Sequence, residues 1–112
     1  MRMTDEHIDK IKSTVEAADH IPTEQKAELL DRLSKVKPAL ARVAQTHQEG
    51  AQSIASLVEV STHEATRKDK RPELLAPALQ RLKGSVEKFE ASHPQLAAAV
   101  SEYSTLLSAL GI

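Results

Sequence analysis

Cysteine and tryptophan are both absent from this 112-residue chain, which holds one Phe, one Tyr, three Gly and five Pro. Without Cys there can be no disulfide, no thiolate nucleophile and no Cys-based zinc site, a composition that fits a reducing compartment. So few Gly and Pro leave little to interrupt regular structure. No run of ~18 apolar residues occurs, so no membrane-spanning helix is expected. The opening Met1-Arg2-Met3-Thr4-Asp5-Glu6 lacks the apolar stretch of a signal peptide. A cytoplasmic location is the resulting expectation. An excess of either charge is also missing. Fifteen Lys and Arg face 16 Asp and Glu, for a net charge of −1. That balance counts against a dedicated nucleic-acid binder, because neutralising phosphates needs a cationic surplus.

What the chain does hold is aliphatic: 13 Leu, 7 Val, 5 Ile and 16 Ala, a set that favours helix. Alternation of the β-strand kind is never sustained; the one β-branched cluster, Val58 to Thr62, sits inside a helical pattern. At this length a single domain over residues 1–112 is expected, burying roughly two-thirds of its unfolded surface. The fold class is all-α: a bundle of about four helices with a long helical hairpin and coiled-coil-like packing. Its clearest signal is a series at alternating steps of four and three, Leu75, Leu79, Leu82, Val86, Phe89, His93, Leu96, Val100, Tyr103, Leu107 and Leu110. Such a stripe winds along one side of a helix and needs a cover.

The spacing predicts a first helix over about 4–19, capped by Thr4, with Ile8, Ile11, Val15 and Ala18 on one face. Ile21-Pro22-Thr23 is the turn, and Thr23 caps the next helix. A second stripe from Leu29 through Leu33, Val36, Leu40 and Val43 to Ile54 and Leu57 keeps its phase, which predicts one helix over 23–65. Pro38 and Gly50 work against continuity, so a break near 38 or 48 is the alternative. Residues 62–73, where apolar side chains vanish and charges crowd, read as the connector. A third helix spans 73–91. Ser92-His93-Pro94-Gln95 has the form of a capping box opening a fourth helix over 93–110. Gly111 is expected as its left-handed cap, with Ile112 folding back on Leu107. Between Pro94 and Ile112 the only charged residue is Glu102, so this last helix should be covered by neighbours or by a second copy.

The segment Phe89-Glu90-Ala91-Ser92-His93-Pro94-Gln95-Leu96, with the Leu/Ala-rich helix after it and the ending Leu110-Gly111-Ile112, resembles a family of short bacterial proteins, the domain-of-unknown-function family numbered 4404. The likeness covers about half the chain and includes, less specifically, Ala27-Glu28-Leu29-Leu30. This chain departs from the family pattern by extra helical sequence from about Lys37 to His63. The resemblance implies no activity and no catalytic residues.

Several clusters invite a chemical reading. Glu16 and Glu59 precede His20 and His63 by four residues, and Glu90-x-x-His93 has the spacing used in di-iron bundles. A di-iron site needs two such motifs and two further inward Glu, so no metal is expected, and His47 and His93 read as packing or first-turn residues. Leu82-Lys83-Gly84-Ser85 is similar to part of the histidine phosphotransfer motif, but Gln80 stands where the phosphorylated His would be. Arg67, Lys68, Lys70 and Arg71 form the densest basic patch, with Arg32, Lys35, Lys37 and Arg42 a second group. Single-strand binders interleave aromatics with such cations, whereas Phe89 and Tyr103 both lie on the apolar stripe. No catalytic constellation emerges, and no cofactor.

The expected function is therefore a small non-catalytic helical protein that works through protein–protein contacts, as a homodimer. Leu96, Val100, Tyr103, Leu107 and Leu110, with Ile54 and Leu57, are the candidate interface. Ser92, His93, Pro94 and Gln95 are a structural joint. A nucleic-acid or ligand-binding accessory using the 67–71 patch is the alternative.

Overall fold

Two helices, not one, carry the long stripe between residues 23 and 65. The computed structural model describes residues 3–111. It contains five α-helices: α1 (Met3–Ala17), α2 (Thr23–Thr46), α3 (Gln48–Ala65), α4 (Pro72–Glu87) and α5 (Pro94–Leu110). No strand occurs among the described residues. The break falls at His47, whose φ of −138° and ψ of 68° leave the helical region. Length explains why some break is needed. A straight helix over 23–65 would run roughly 64 Å at 1.5 Å per residue, whereas the molecule's longest extent is 38 Å. Composition explains the place. Around Pro38 the buried Val36, Ala39 and Leu40 hold α2 against the core, so the helix continues through the proline. The run Gln45 to Glu49 is polar and exposed, and nothing apolar holds it straight.

The connector is also shorter than expected. Helix α3 runs on to Ala65, because Thr62, Ala65 and Thr66 are buried and the two threonine hydroxyls bond within the helix. Thr62 donates to the Val58 carbonyl at 2.8 Å and Thr66 to the Thr62 carbonyl at 2.7 Å. Only residues 66–71 link α3 to α4. At the far end α4 stops at Glu87, not 91, and tighter turns from Phe89 to Val86 and Glu90 to Glu87 follow.

Four expected caps take other forms. Thr4 is buried inside the first turn of α1, and Pro22 rather than Thr23 flanks α2. The Ser92 capping box does not form. His93 takes the cap position without a side-chain bond, and Gln95 instead accepts from Arg42 across to α2. Gly111 is right-handed, with φ −84°. Glycine is needed there for room, since a Cβ would fall 2.1 Å from Leu75 Cδ2. The proposed contact of Ile112 with Leu107 lies outside the described residues.

Helix α3 is the centre of the bundle and packs against all four others. Helix α2 also packs on α1 and α5, and α4 on α5, whereas α1 does not reach α4. Ile54, Ala55 and Val58 of α3 are fully enclosed by Ile11 and Val15, Val36 and Val43, Leu82, and Leu96 and Leu107 in one cluster. At one end of the molecule Phe89 lies against Gly50, where a Cβ would sit 2.6 Å from its Cζ. His47 and His93 meet the same ring edge-on, at 5.3 and 6.3 Å between centroids. The radius of gyration is 13.0 Å, about the value of a compact chain this long.

One polar link crosses the core. Tyr103, fully buried on α5, meets Thr62 Oγ1 at 2.7 Å. Thr62 gives its single proton to Val58, so the phenol is the donor. Burial pushes the Tyr103 pKa up to about 12, against the smaller opposing effect of the Thr62 hydroxyl, which can turn its proton toward a phenolate. Nearby, Ser61 Oγ is buried with no partner among the described residues.

These contacts set measurable asymmetries. Tyr103→Phe should cost about 1 kcal/mol, and Thr62→Val more, roughly 1–3 kcal/mol, because it strands a buried phenol. Ser61→Ala should be neutral or stabilising. The folded Tyr103 keeps its proton to higher pH than the unfolded one, whose pKa is near 10. Its contribution is therefore complete below pH 10 and lost between about 10 and 12, at up to about 1.4 kcal/mol per pH unit. Denaturant titrations at pH 8 to 11 would check this; Tyr103→Phe should flatten the alkaline decline.

Candidate interaction groove between α4 and α5

Helices α4 and α5 pack together. Between them lies a groove of about 420 Å³. The sequence builds it by giving each helix two unlike faces. On α5 the large residues Leu96, Val100, Tyr103 and Leu107 turn inward and are 0–3 % exposed. Their complement is small: Ala97, Ser101, Ser104 and Ser108, at steps of four, three and four, run along the groove. On α4, Leu75, Leu82 and Val86 are in the core, while Leu79 is half-buried and shares the groove floor with Val86, Val100 and Ala97. Gln80, Lys83, Glu87 and Glu90 stand at the rim.

The groove's chemistry is that of a contact surface. Its floor is aliphatic, its α5 side carries hydroxyls, and its α4 rim carries both charge signs. Thr105 turns its hydroxyl onto its own helix, donating to the Ser101 carbonyl at 2.9 Å. The Tyr103 phenol points into the core, not into the groove.

The candidate interface residues are thus placed on the other side. Leu96, Val100, Tyr103, Leu107 and Ile54 belong to the protomer's own core, and Leu110 and Leu57 are partly buried against it. Only Val100 reaches the groove. Ser92 and His93 lie in the link before α5 and Pro94 and Gln95 in its first turn, with Arg42 and Ala39 beside them. In the basic patch, Arg67 meets Glu64 at 3.0 Å, Arg71 meets Asp69 at 3.4 Å and Lys68 meets Asp19 at 3.7 Å. Arg67, Lys68 and Arg71 are therefore already opposite carboxylates.

The histidines are dispersed. His7 Nδ1 donates to Glu59 Oε1 at 2.5 Å, so Glu59 is drawn to α1 rather than to His63. His20 approaches Asp19 at 3.9 Å. Among the described residues no three His, Asp or Glu side chains gather as a metal site would require. No described helix is long and apolar enough to cross a membrane. The His7–Glu59 pair spans 52 residues and had no local signal. The groove did have one, the four-three spacing of small residues on α5, offset from the large ones.

Comparison with protein families, with curated proteins and with solved structures finds no match for this chain. Class is therefore set by the geometry alone: a five-helix bundle with a helix-lined groove.

Because Leu107 is a core residue, Leu107→Ala should lower unfolding free energy by about 2–5 kcal/mol. Urea denaturation at two protein concentrations, tenfold apart, should give the same loss. A loss seen only at the lower concentration would return Leu107 to an interface.

Proposed function

We propose that the protein is a non-catalytic interaction module that self-associates, with a second copy of the chain seated on the α4/α5 groove. The supporting observation is the outward face of α5. Across Pro94–Leu110 the only charge is Glu102, and Ala98, Ser101, Thr105 and Ala109 are exposed. Water-facing helix surfaces ordinarily carry charge; this one carries methyl and hydroxyl groups that let another helix approach closely. The occupant follows from the rim. Lys83 and the acidic pair Glu87 and Glu90 lie along one edge. A two-fold axis across the groove sets Lys83 of each copy opposite a carboxylate of the other, and a surface bearing both signs in sequence is complementary to itself.

The absence of cysteine is in keeping with a cytoplasmic location, and the likeness to the short bacterial family is part of the same proposal. The nucleic-acid alternative loses support because Arg67, Lys68 and Arg71 already face carboxylates.

Size-exclusion chromatography with light scattering tests this reading. A dimer is expected at tens of micromolar. Ser101→Arg with Ser104→Arg should give a monomer of unchanged melting temperature. Lys83→Glu should weaken the dimer, and adding Glu87→Lys and Glu90→Lys should restore it. A parent protein that stays monomeric at millimolar concentration would overturn the proposal.

A further inference from the structure

A second depression lies on the opposite side of α4. Because α1 and α4 flank α3 without meeting, the outward stripe of α3 floors an open trough of about 860 Å³. Arg81 of α4 and Lys88, which caps that helix in right-handed geometry, stand on one wall. Seven residues apart, they project from the same side of the helix, roughly 10 Å along its axis. Ser53 and Ser56 line the floor and Ser85 the wall, with the Gln52 amide beside them. His7, already held by Glu59, closes the α1 side, and Glu49 is the one further acid of the lining.

Two features of this wall are not used by the fold. The first is Arg81. Arg32, Arg67 and Arg71 each meet a carboxylate and Arg42 meets Gln95. Arg81 alone among the described arginines has no hydrogen-bonding or ionic partner there, and Lys88 beside it has none, like the exposed Lys35, Lys37 and Lys83. The second is Gly84, midway between them. Gly50 and Gly111 are required by Phe89 and Leu75, whereas a Cβ at Gly84 would meet nothing within 4 Å. Its φ is not positive either. Glycine inside a helix is unfavourable relative to alanine, so packing and backbone geometry both leave this one without a cause. Its remaining effect is to strip the wall bare where an occupant would come closest.

We propose that the trough binds a small phosphorylated ligand of the oligophosphate class, lying over Gly84 with its phosphates between Arg81 and Lys88. A guanidinium offers a planar fork of donors that fits phosphate oxygens, and the ammonium adds a second positive charge. One phosphate is too short for both cations; a chain of phosphates reaches from one to the other. The Ser53, Ser56 and Ser85 hydroxyls supply further donors. The near-neutral whole chain is no obstacle, since the cations that matter share one wall. This surface is separate from the α4/α5 groove: Gln80, Lys83 and Glu87 face that groove, Arg81, Ser85 and Lys88 the trough.

Inorganic tripolyphosphate is the probe, titrated into the whole chain at constant ionic strength and followed by calorimetry and amide chemical shifts. Saturable one-to-one binding is expected, with shifts centred on Arg81, Gly84, Lys88 and Ser53. Arg81→Gln and Lys88→Gln should each weaken it at least tenfold, and Lys35→Gln should leave it unchanged. Gly84→Ala carries the sharpest test. It should raise the melting temperature, because the space is open, and yet weaken binding at least tenfold. Ser101→Arg with Ser104→Arg, which breaks the proposed dimer, should bind like the parent. The proposal is overturned by shifts scattered over all cations without saturation, by Gly84→Ala binding like the parent or melting lower, or by citrate binding as tightly as tripolyphosphate.

Discussion

A helix that must bury most of its surface is not stable until neighbours cover it, and α3, with the stripe of Glu49, Ser53, Ser56, Val60 and His63 left exposed, imposes that condition on the whole molecule. Ile54, Ala55, Val58, Ser61 and Thr62 point in enough directions that no single neighbour could cover them. Four helices do so together. The fold-back at His47 brings α2 alongside, the short 66–71 link returns α4, and the Phe89 turn delivers α5. Even the polar content of the core obeys the same condition. The Thr62 hydroxyl is tied to its own helix and accepts from Tyr103 of α5, so a hydrogen bond across the core joins the centre to the last helix to be placed. Buried polar groups are tolerated when satisfied in this way.

Enclosing α3 with four helices leaves the enclosing helices only partly covered themselves. Helix α4 shows this best. Leu75, Leu82 and Val86 go to the core, Gln80, Lys83 and Glu87 edge one depression, and Arg81, Gly84 and Lys88 edge another. One sixteen-residue helix thus serves as a wall shared by two surfaces of unlike chemistry, aliphatic with hydroxyls on one side and cationic on the other.

Much of the core was legible in the sequence because burial follows local periodicity. Leu29, Leu33, Val36, Leu40 and Val43, or Leu75, Leu82 and Val86, are where the four-three spacing puts them. The helix break was legible only as an alternative. Pro38 carries the stronger local signal, yet the chain turned at His47, because buried neighbours of Pro38 outweigh its missing N–H and no such neighbours exist at 47. The groove was half legible. A charge-poor last helix was visible, but large side chains drew the choice to Leu96, Val100, Tyr103 and Leu107, and large side chains are the ones a protomer buries first. The small face, Ala97, Ser101, Ser104 and Ser108, is what remains outside. The trough was not legible at all, since it depends on α1 and α4 failing to meet, a fact that no local spacing encodes.

The small residues along the α4/α5 groove have a further consequence. They run from Ala97 to Ser108, a length of roughly 17 Å at the helical rise. About three turns of a facing helix could lie along them, and a slide of one turn would set one hydroxyl where another had been. Such a floor is nearly blind to register. The marks that distinguish one position from the next stand at the rim, in the order Lys83, Glu87, Glu90.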